Sequence, residues 1–268
     1  MCWKIKEIKK DVLQIDENGL NSMYIVRGSE KSAVIDTGTG TGDFKGLIES
    51  LTDQPYEVIL THAHVDHAGG CGQFSDVYIH EKDVCEAKKI TIEDREKYIK
   101  NMENANAIEK NSISIINTMK NNNKPVFHYI KEGDVINLGN KKLVIHEMPG
   151  HTPGSICILD EEDAVLFSGD SVNDIELLCA PAVDRTDLLR KWYSAGMKIF
   201  SQTDKFDICG GGHCIISIEK AVDTLICGKN IIEGKIEAKK QKIHFFNGLF
   251  YRYKDVYLYN GSFEELHQ

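Results

Sequence analysis

Between Thr61 and Gly70 the chain reads Thr-His-Ala-His-Val-Asp-His-Ala-Gly-Gly, so four metal-capable side chains, His62, His64, Asp66 and His67, fall within six positions. An apolar, strand-like run from Tyr56 to Leu60 leads directly into them. Ligands this dense on one turn close on a metal without ordering a long loop, so little chain entropy opposes binding. Imidazole together with carboxylate suits zinc, iron or manganese, whereas calcium prefers oxygen alone. A lone histidine is more often a satisfied polar group than a ligand. Three histidines and an aspartate in H-x-H-x-D-H order point to a metal-binding turn.

Three later segments supply what that turn lacks. They are Pro149-Gly150-His151-Thr152-Pro153-Gly154-Ser155, Ser168-Gly169-Asp170-Ser171 and Gly210-Gly211-Gly212-His213. Each sets one His or Asp on a Gly-rich turn just after an apolar run, namely Leu143 to Met148, Ala164 to Phe167 and Phe206 to Cys209. Ligands on loops at strand ends are held by a rigid sheet yet stay reachable by substrate. From about Gly28 to His213 this ordered set resembles the metallo-β-lactamase fold hydrolase superfamily. The resemblance implies an α/β fold, an αββα sandwich of two mixed sheets flanked by helices, with the metals at one edge between the sheets.

At 268 residues, length alone allows one domain or two. No low-complexity linker divides the chain, so a single domain over 1–268 is expected, with a charged, helical, Asn-rich insert at about 81–123. The first residues, Met1-Cys2-Trp3-Lys4-Ile5-Lys6, do not lead into an apolar signal-peptide core, and no run of about 18 apolar residues could span a bilayer. A cytosolic protein without membrane contact is the expectation. The eight cysteines are scattered, which suits a reducing compartment and small buried hydrophobes. Cys71 and Cys214 flank the ligand turns and could either pack beside the site or take a ligand or redox role. A formal net charge of −9 argues against nucleic acid as partner.

Short strands are predicted at Val12 to Ile15, Ser22 to Val26, Ser32 to Ile35 and around Val77 to His80, with a helix from Phe44 to Leu51. Asp36 closes the third strand, as a plain turn residue or as a brace for the ligand loop. His80 reads as a surface or capping histidine. The insert offers no ligand candidate and is either solvated helical filler or a lid or homodimer contact. Strands resume at Val126 to Ile130, Val135 to Leu138, Lys142 to His146, Ile156 to Leu159 and Val165 to Phe167. Helices are expected from Asp187 to Phe200 and from Ser217 to Cys227. The alternating tail from Ile243 to Tyr259 carries Asn247-Gly248, set like a hairpin turn.

Carried over residue by residue, the resemblance implies two metal ions, zinc first and iron or manganese as alternatives. His62, His64 and His151 would hold one ion and Asp66, His67 and His213 the other. Asp170 would bridge them, offsetting the repulsion of two divalent ions. Asp66 and Asp170 would be the catalytic carboxylates, and a metal-bridging hydroxide the nucleophile. The implied activity is hydrolysis of a small-molecule ester, thioester, lactone or phosphoester. Departures narrow it. Asp170 stands where β-lactam-cleaving members generally lack an aspartate. Asp170-Ser171-Val172-Asn173 replaces the Gly-Cys-Gly-Arg turn of glyoxalase II and the persulfide dioxygenases, and Asn173 replaces the tyrosine of one lactonase group. His64 stands where the diiron flavoproteins use glutamate, and no basic arm of the tRNA-processing nucleases is present. A mononuclear iron oxidoreductase using mainly His62, His64, His151 or Asp170 is the alternative, and a non-catalytic metal-binding protein a weaker one.

Overall fold

Side chains of successive residues in the central strands belong to different apolar clusters, and that alternation builds the layers of this computed structural model, which describes residues 3–105 and 123–267. In β10 (Ile156–Asp160) Ile156 and Ile158 face one cluster, while Cys157 and Leu159 face another. In β3 (Ser22–Arg27) Tyr24 and Val26 share the cluster of Ile156 and Ile158, whereas Met23 and Ile25 turn away. A strand apolar on both faces must be covered on both. The result is two sheets packed face to face with helices outside each.

The first sheet has seven strands in chain order: β1 (Trp3–Lys9), β2 (Val12–Glu17), β3, β4 (Ser32–Ile35), β5 (Tyr56–Ile59), β6 (Asp76–His80) and β7 (Val126–Ile130). Neighbours are antiparallel up to β4 and parallel from β4 to β7. Its outer face packs on α1 (Phe44–Leu51) and α3 (Val84–Lys89) through Phe44, Ile48, Val84 and Ala87. The second sheet runs β14-β13-β11-β10-β9-β8, built from β8 (Val135–Asn137), β9 (Lys142–Glu147), β10, β11 (Val165–Gly169), β13 (Ile208–Gly211) and β14 (Ile215–Ile216). Its outer face packs on α5 (Arg185–Phe200) and α6 (Ile218–Ile232) through Leu189, Trp192, Ile199, Ala221 and Leu225. This is the αββα order the sequence predicts. Among the described residues no helix is long and apolar enough to cross a membrane.

The structure adds a third sheet. β12 (Ile175–Leu178) pairs in parallel with β17 (Val256–Asn260), which continues through β16 (Phe246–Tyr253) to β15 (Lys239–Ile243). The tail's turn does not fall at Asn247-Gly248, which lies inside β16. Lys242 pairs with Asn247 and Ile243 with Phe246, so the chain reverses at His244-Phe245, with His244 at φ +53°. Pairing apolar Phe250 with Tyr259 and burying Leu266 against them outweighs the local preference of Asn-Gly. The insert is helical where it is described, as α3 and α4 (Ile92–Asn104). α4 opens on a capping box between Thr91 and Asp94. Residues 106–122 of the insert, with most of the Asn run, lie outside the described residues. His80 is buried rather than at the surface. It accepts from Lys82 N at 3.2 Å and faces Glu147 Oε1 at 3.2 Å, so its capping role stands.

Candidate metal centre

Every sequence-predicted ligand sits just past a strand end on one edge of the sandwich. β5 leads into His62 and His64, and the four-residue helix α2 (Val65–Ala68) carries Asp66 and His67. His151 follows β9, Asp170 follows β11 and His213 follows β13. Two sheets therefore contribute to one place in the structure, where the seven side chains come together. Three groups have donor atoms all within 4.8 Å of one another: His62, His64 and His151; His62, His67 and Asp170; and Asp66, His67 and His213. Asp170 Oδ2 lies 3.1 Å from His213 Nε2, 3.5 Å from His151 Nε2 and 3.6 Å from His67 Nε2. His151 Nε2 is 2.7 Å from His64 Nδ1.

The other nitrogen of four rings is anchored. His67 Nδ1 is 2.8 Å from Asp36 Oδ2, and His62 Nδ1 is 3.1 Å from Thr61 Oγ1. His151 Nδ1 donates to Leu177 O at 2.7 Å, and His213 Nδ1 donates to Leu20 O at 2.6 Å. Such contacts fix the ring plane and direct the Nε2 lone pair inward. Asp36 thus serves as the brace. It also accepts from Thr61 N at 2.7 Å and Thr61 Oγ1 at 2.8 Å, and it holds φ +62°, a conformation aspartate tolerates better than most residues.

Three of the inward atoms lack partners. His62 Nε2, His67 Nε2 and Asp170 Oδ1 are buried with no hydrogen bond. Leaving such groups unpaired is costly, so they suit a cationic occupant that accepts lone pairs from all three. Charge agrees. Burial drives His62 well below the ordinary imidazole range, lowers His151, and takes His64 down to about 3, with the neighbouring imidazoles adding to the fall at His62 and His64. Burial also opposes protonation of His67 and His213, but Asp170 and Asp66 outweigh it, raising His67 well above its usual value and His213 to about 9. Protons there supply the positive charge that the two carboxylates require, and divalent ions would displace them.

Sequence reasoning missed three supports. Asp83, just before α3, accepts from Ala63 N at 3.0 Å, Gly154 N at 2.7 Å and Thr152 Oγ1 at 2.6 Å, joining the first ligand turn to the His151 turn. Glu176 is fully buried, and burial together with the Asp170 charge pushes its carboxyl well above the usual range. Tyr98 of α4 donates to Asp66 Oδ2 at 2.8 Å. No sequence spacing signals any of these. Cys71 packs in the core beneath the first sheet and Cys214 is exposed; among the described residues neither belongs to a metal-capable group.

A model of the metallo-beta-lactamase superfamily matches residues 17–205, most of the span that carries this site. The chain belongs to that superfamily. Among metallo-beta-lactamase relatives, acyl-coenzyme A thioesterase MBLAC2 of Homo sapiens is 32% identical over 178 residues, 59% of this chain and 60% of that protein. Atrochrysone carboxyl ACP thioesterase of Aspergillus terreus is 28% identical over 153 residues, 56% of this chain and 38% of that protein. The match thus spans no more than about 60% of these relatives' length. A metallo-beta-lactamase from Pontibacter korlensis superposes with TM-score 0.57 at 17% identity, over 85% of this chain and all of that one. An archaeal metallo-beta-lactamase superfamily protein from Sulfolobus tokodaii gives 0.54 at 15% identity, over 87% and 88%. Those two likenesses show the fold.

Proposed function

We propose that the chain is a two-metal hydrolase of acyl thioesters. The observation that carries this reading is the set of inward atoms without partners, His62 Nε2, His67 Nε2 and Asp170 Oδ1, at the meeting point of two ligand triads. His62, His64 and His151 would hold one ion, Asp66, His67 and His213 the other, and Asp170 would stand between them. When bound, two such ions supply Lewis acidity toward a carbonyl and a hydroxide nucleophile near neutral pH. Mixed nitrogen and oxygen donors suit zinc, with iron or manganese as alternatives.

The protein's own part is orientation. Thr61, Asp36, Leu177 O and Leu20 O hold the four imidazoles so that no ring must reorient during turnover. A cleft of about 480 Å³ opens beside His64 and His151, with Ala63, Val65, Ile90, Pro153, Ala180 and Pro181 along its walls. Its apolar walls suit an acyl arm. Glu86 and Asp94 also line it, and Lys89, the one Lys or Arg among the described lining residues, is already bonded to Glu86 at 2.5 Å, so a phosphorylated carrier is disfavoured inside it. The acyl arm in the cleft and the carrier outside is the consistent pose. The thioester class is supported by the names of the human and fungal relatives, both thioesterases.

The mononuclear iron alternative leaves Asp66, His67 and His213 without a task, although their donor atoms, like those of the first triad, all lie within 4.8 Å of one another. The test is turnover of acyl thioesters beside matched oxygen esters, under air and without it, on protein of measured metal content. Thioester hydrolysis independent of dioxygen, with about two metal equivalents per chain, is expected. Activity that requires dioxygen and survives His213→Ala would overturn the proposal.

A further inference from the structure

Helix α4 lays two side chains on the two ends of the ligand helix α2. Arg95 Nη1 donates to Gly69 O, at the C-terminal cap of α2, at 2.8 Å. Three residues on, Tyr98 donates to Asp66 Oδ2 in the first turn, also at 2.8 Å. Residues three apart share a helix face, so one stripe of α4 spans the whole of α2. A helix of four residues has too few internal hydrogen bonds to hold its own shape. Arg95 is buried where it does this, and the loop opposite leaves room for nothing larger than Gly40, whose Cβ would stand 2.6 Å from Arg95 Nη1 and from Gly69 O.

The oxygen that Tyr98 holds is the one aimed into the site. Asp66 Oδ2 lies 3.8 Å from His67 Nε2 and 3.8 Å from His213 Nε2. Four histidines of the site are each fixed through a second contact to Thr61, Asp36, Leu177 or Leu20. Tyr98 gives Asp66 the corresponding anchor, and it arrives from the insert rather than from the sandwich. A short carboxylate side chain has several rotamers, of which one points at His67 and His213. The phenol selects that one.

We infer that Tyr98 is a positioning residue for the second metal subsite, and that α4 completes that subsite by fixing Asp66. This rests on the two-metal reading above. Among the described residues the hydrogen bond of Tyr98 goes to Asp66 and to no member of the first triad, so the two subsites should respond differently to its loss. Titration of metal-free protein with zinc, followed calorimetrically, tests it on wild type and Tyr98→Phe. Two binding steps are expected for wild type. In Tyr98→Phe the step assigned to the second subsite should weaken about 10- to 100-fold, the other should be unchanged, and the metal-free melting temperature should hold. Thioester turnover should fall at limiting zinc and recover in excess zinc. The inference fails if both steps match wild type, whether turnover is kept or lost. It fails equally if both steps and the metal-free melting temperature drop together, since Tyr98 would then support the fold at large. A single step in wild type would remove the two-metal reading itself.

Discussion

Asp170 is the residue on which the two triads converge, since one carboxylate oxygen faces three imidazoles and the other is buried with no partner. On the proposed two-metal reading, replacing it with Ala would remove the shared ligand and the negative charge between the two cations. Turnover should fall by about 10²-fold or more, in line with loss of a major electrostatic stabiliser, and elemental analysis should find less than two metal equivalents. Near-normal turnover at full metal content would refute that role. Asp36 acts one step further out. Asp36→Ala frees His67 Nδ1 and Thr61 N together, so metal affinity should drop about 10- to 100-fold in the same titration. At this scale the residues that converge on the candidate site were legible in the sequence because each His or Asp follows an apolar run on a Gly-rich turn. Tyr98 and Asp83 were not, because their partners lie 32 and 20 to 71 residues away along the chain; Glu176 follows Asp170 closely in sequence, but no local pattern marks it as buried.

Elements set how closely those residues can approach. Gly212, between β13 and His213, is packed so that a Cβ would run into Asp170 Oδ1 and come within 2.6 Å of His67 Cε1. Gly212→Ala should therefore empty the site of metal while circular dichroism remains native, because the clash is with ligands and the core is untouched. The turn from β10 to β11 shows a different constraint. Asp160 is fully buried, and that burial, reinforced by the neighbouring carboxylate of Asp163, raises its pKa to about 7, with Lys141 paired to Asp163 beside it. The unfolded chain releases this proton near pH 4 and the folded one keeps it, so folding stability contributed here is lost as pH rises from about 4 to about 7. Urea midpoints should show Asp160→Asn gaining on wild type across that window; a constant difference would contradict the assignment. Strands and helices were legible from their alternation and apolar stripes. The hairpin in the tail was misplaced because Asn-Gly is only a local preference, overruled by Phe250, Tyr259 and Leu266. β12 went unnoticed because its partner β17 lies some eighty residues downstream.

Across the whole molecule the αββα order was legible and the third sheet was not, since neither β12 nor the tail hairpin buries its apolar face until the two meet. The first sheet presents His62, His64, Asp66 and His67, and the second presents His151, Asp170 and His213. Any ion shared by those side chains binds the folded state and not the open chain. Adding zinc at a hundredfold excess over its dissociation constant should raise unfolding free energy by about 3 kcal/mol, read as a higher melting temperature that a chelator reverses. An unchanged melting temperature would mean that the sheets hold each other without help. If the site is filled as proposed, the same arrangement would make the supply of metal a control on quantity. Chains made under metal starvation would open more often along the edge where the sheets meet, and housekeeping proteases would clear them first. Abundance of this protein would then follow the cell's metal ration even at constant synthesis.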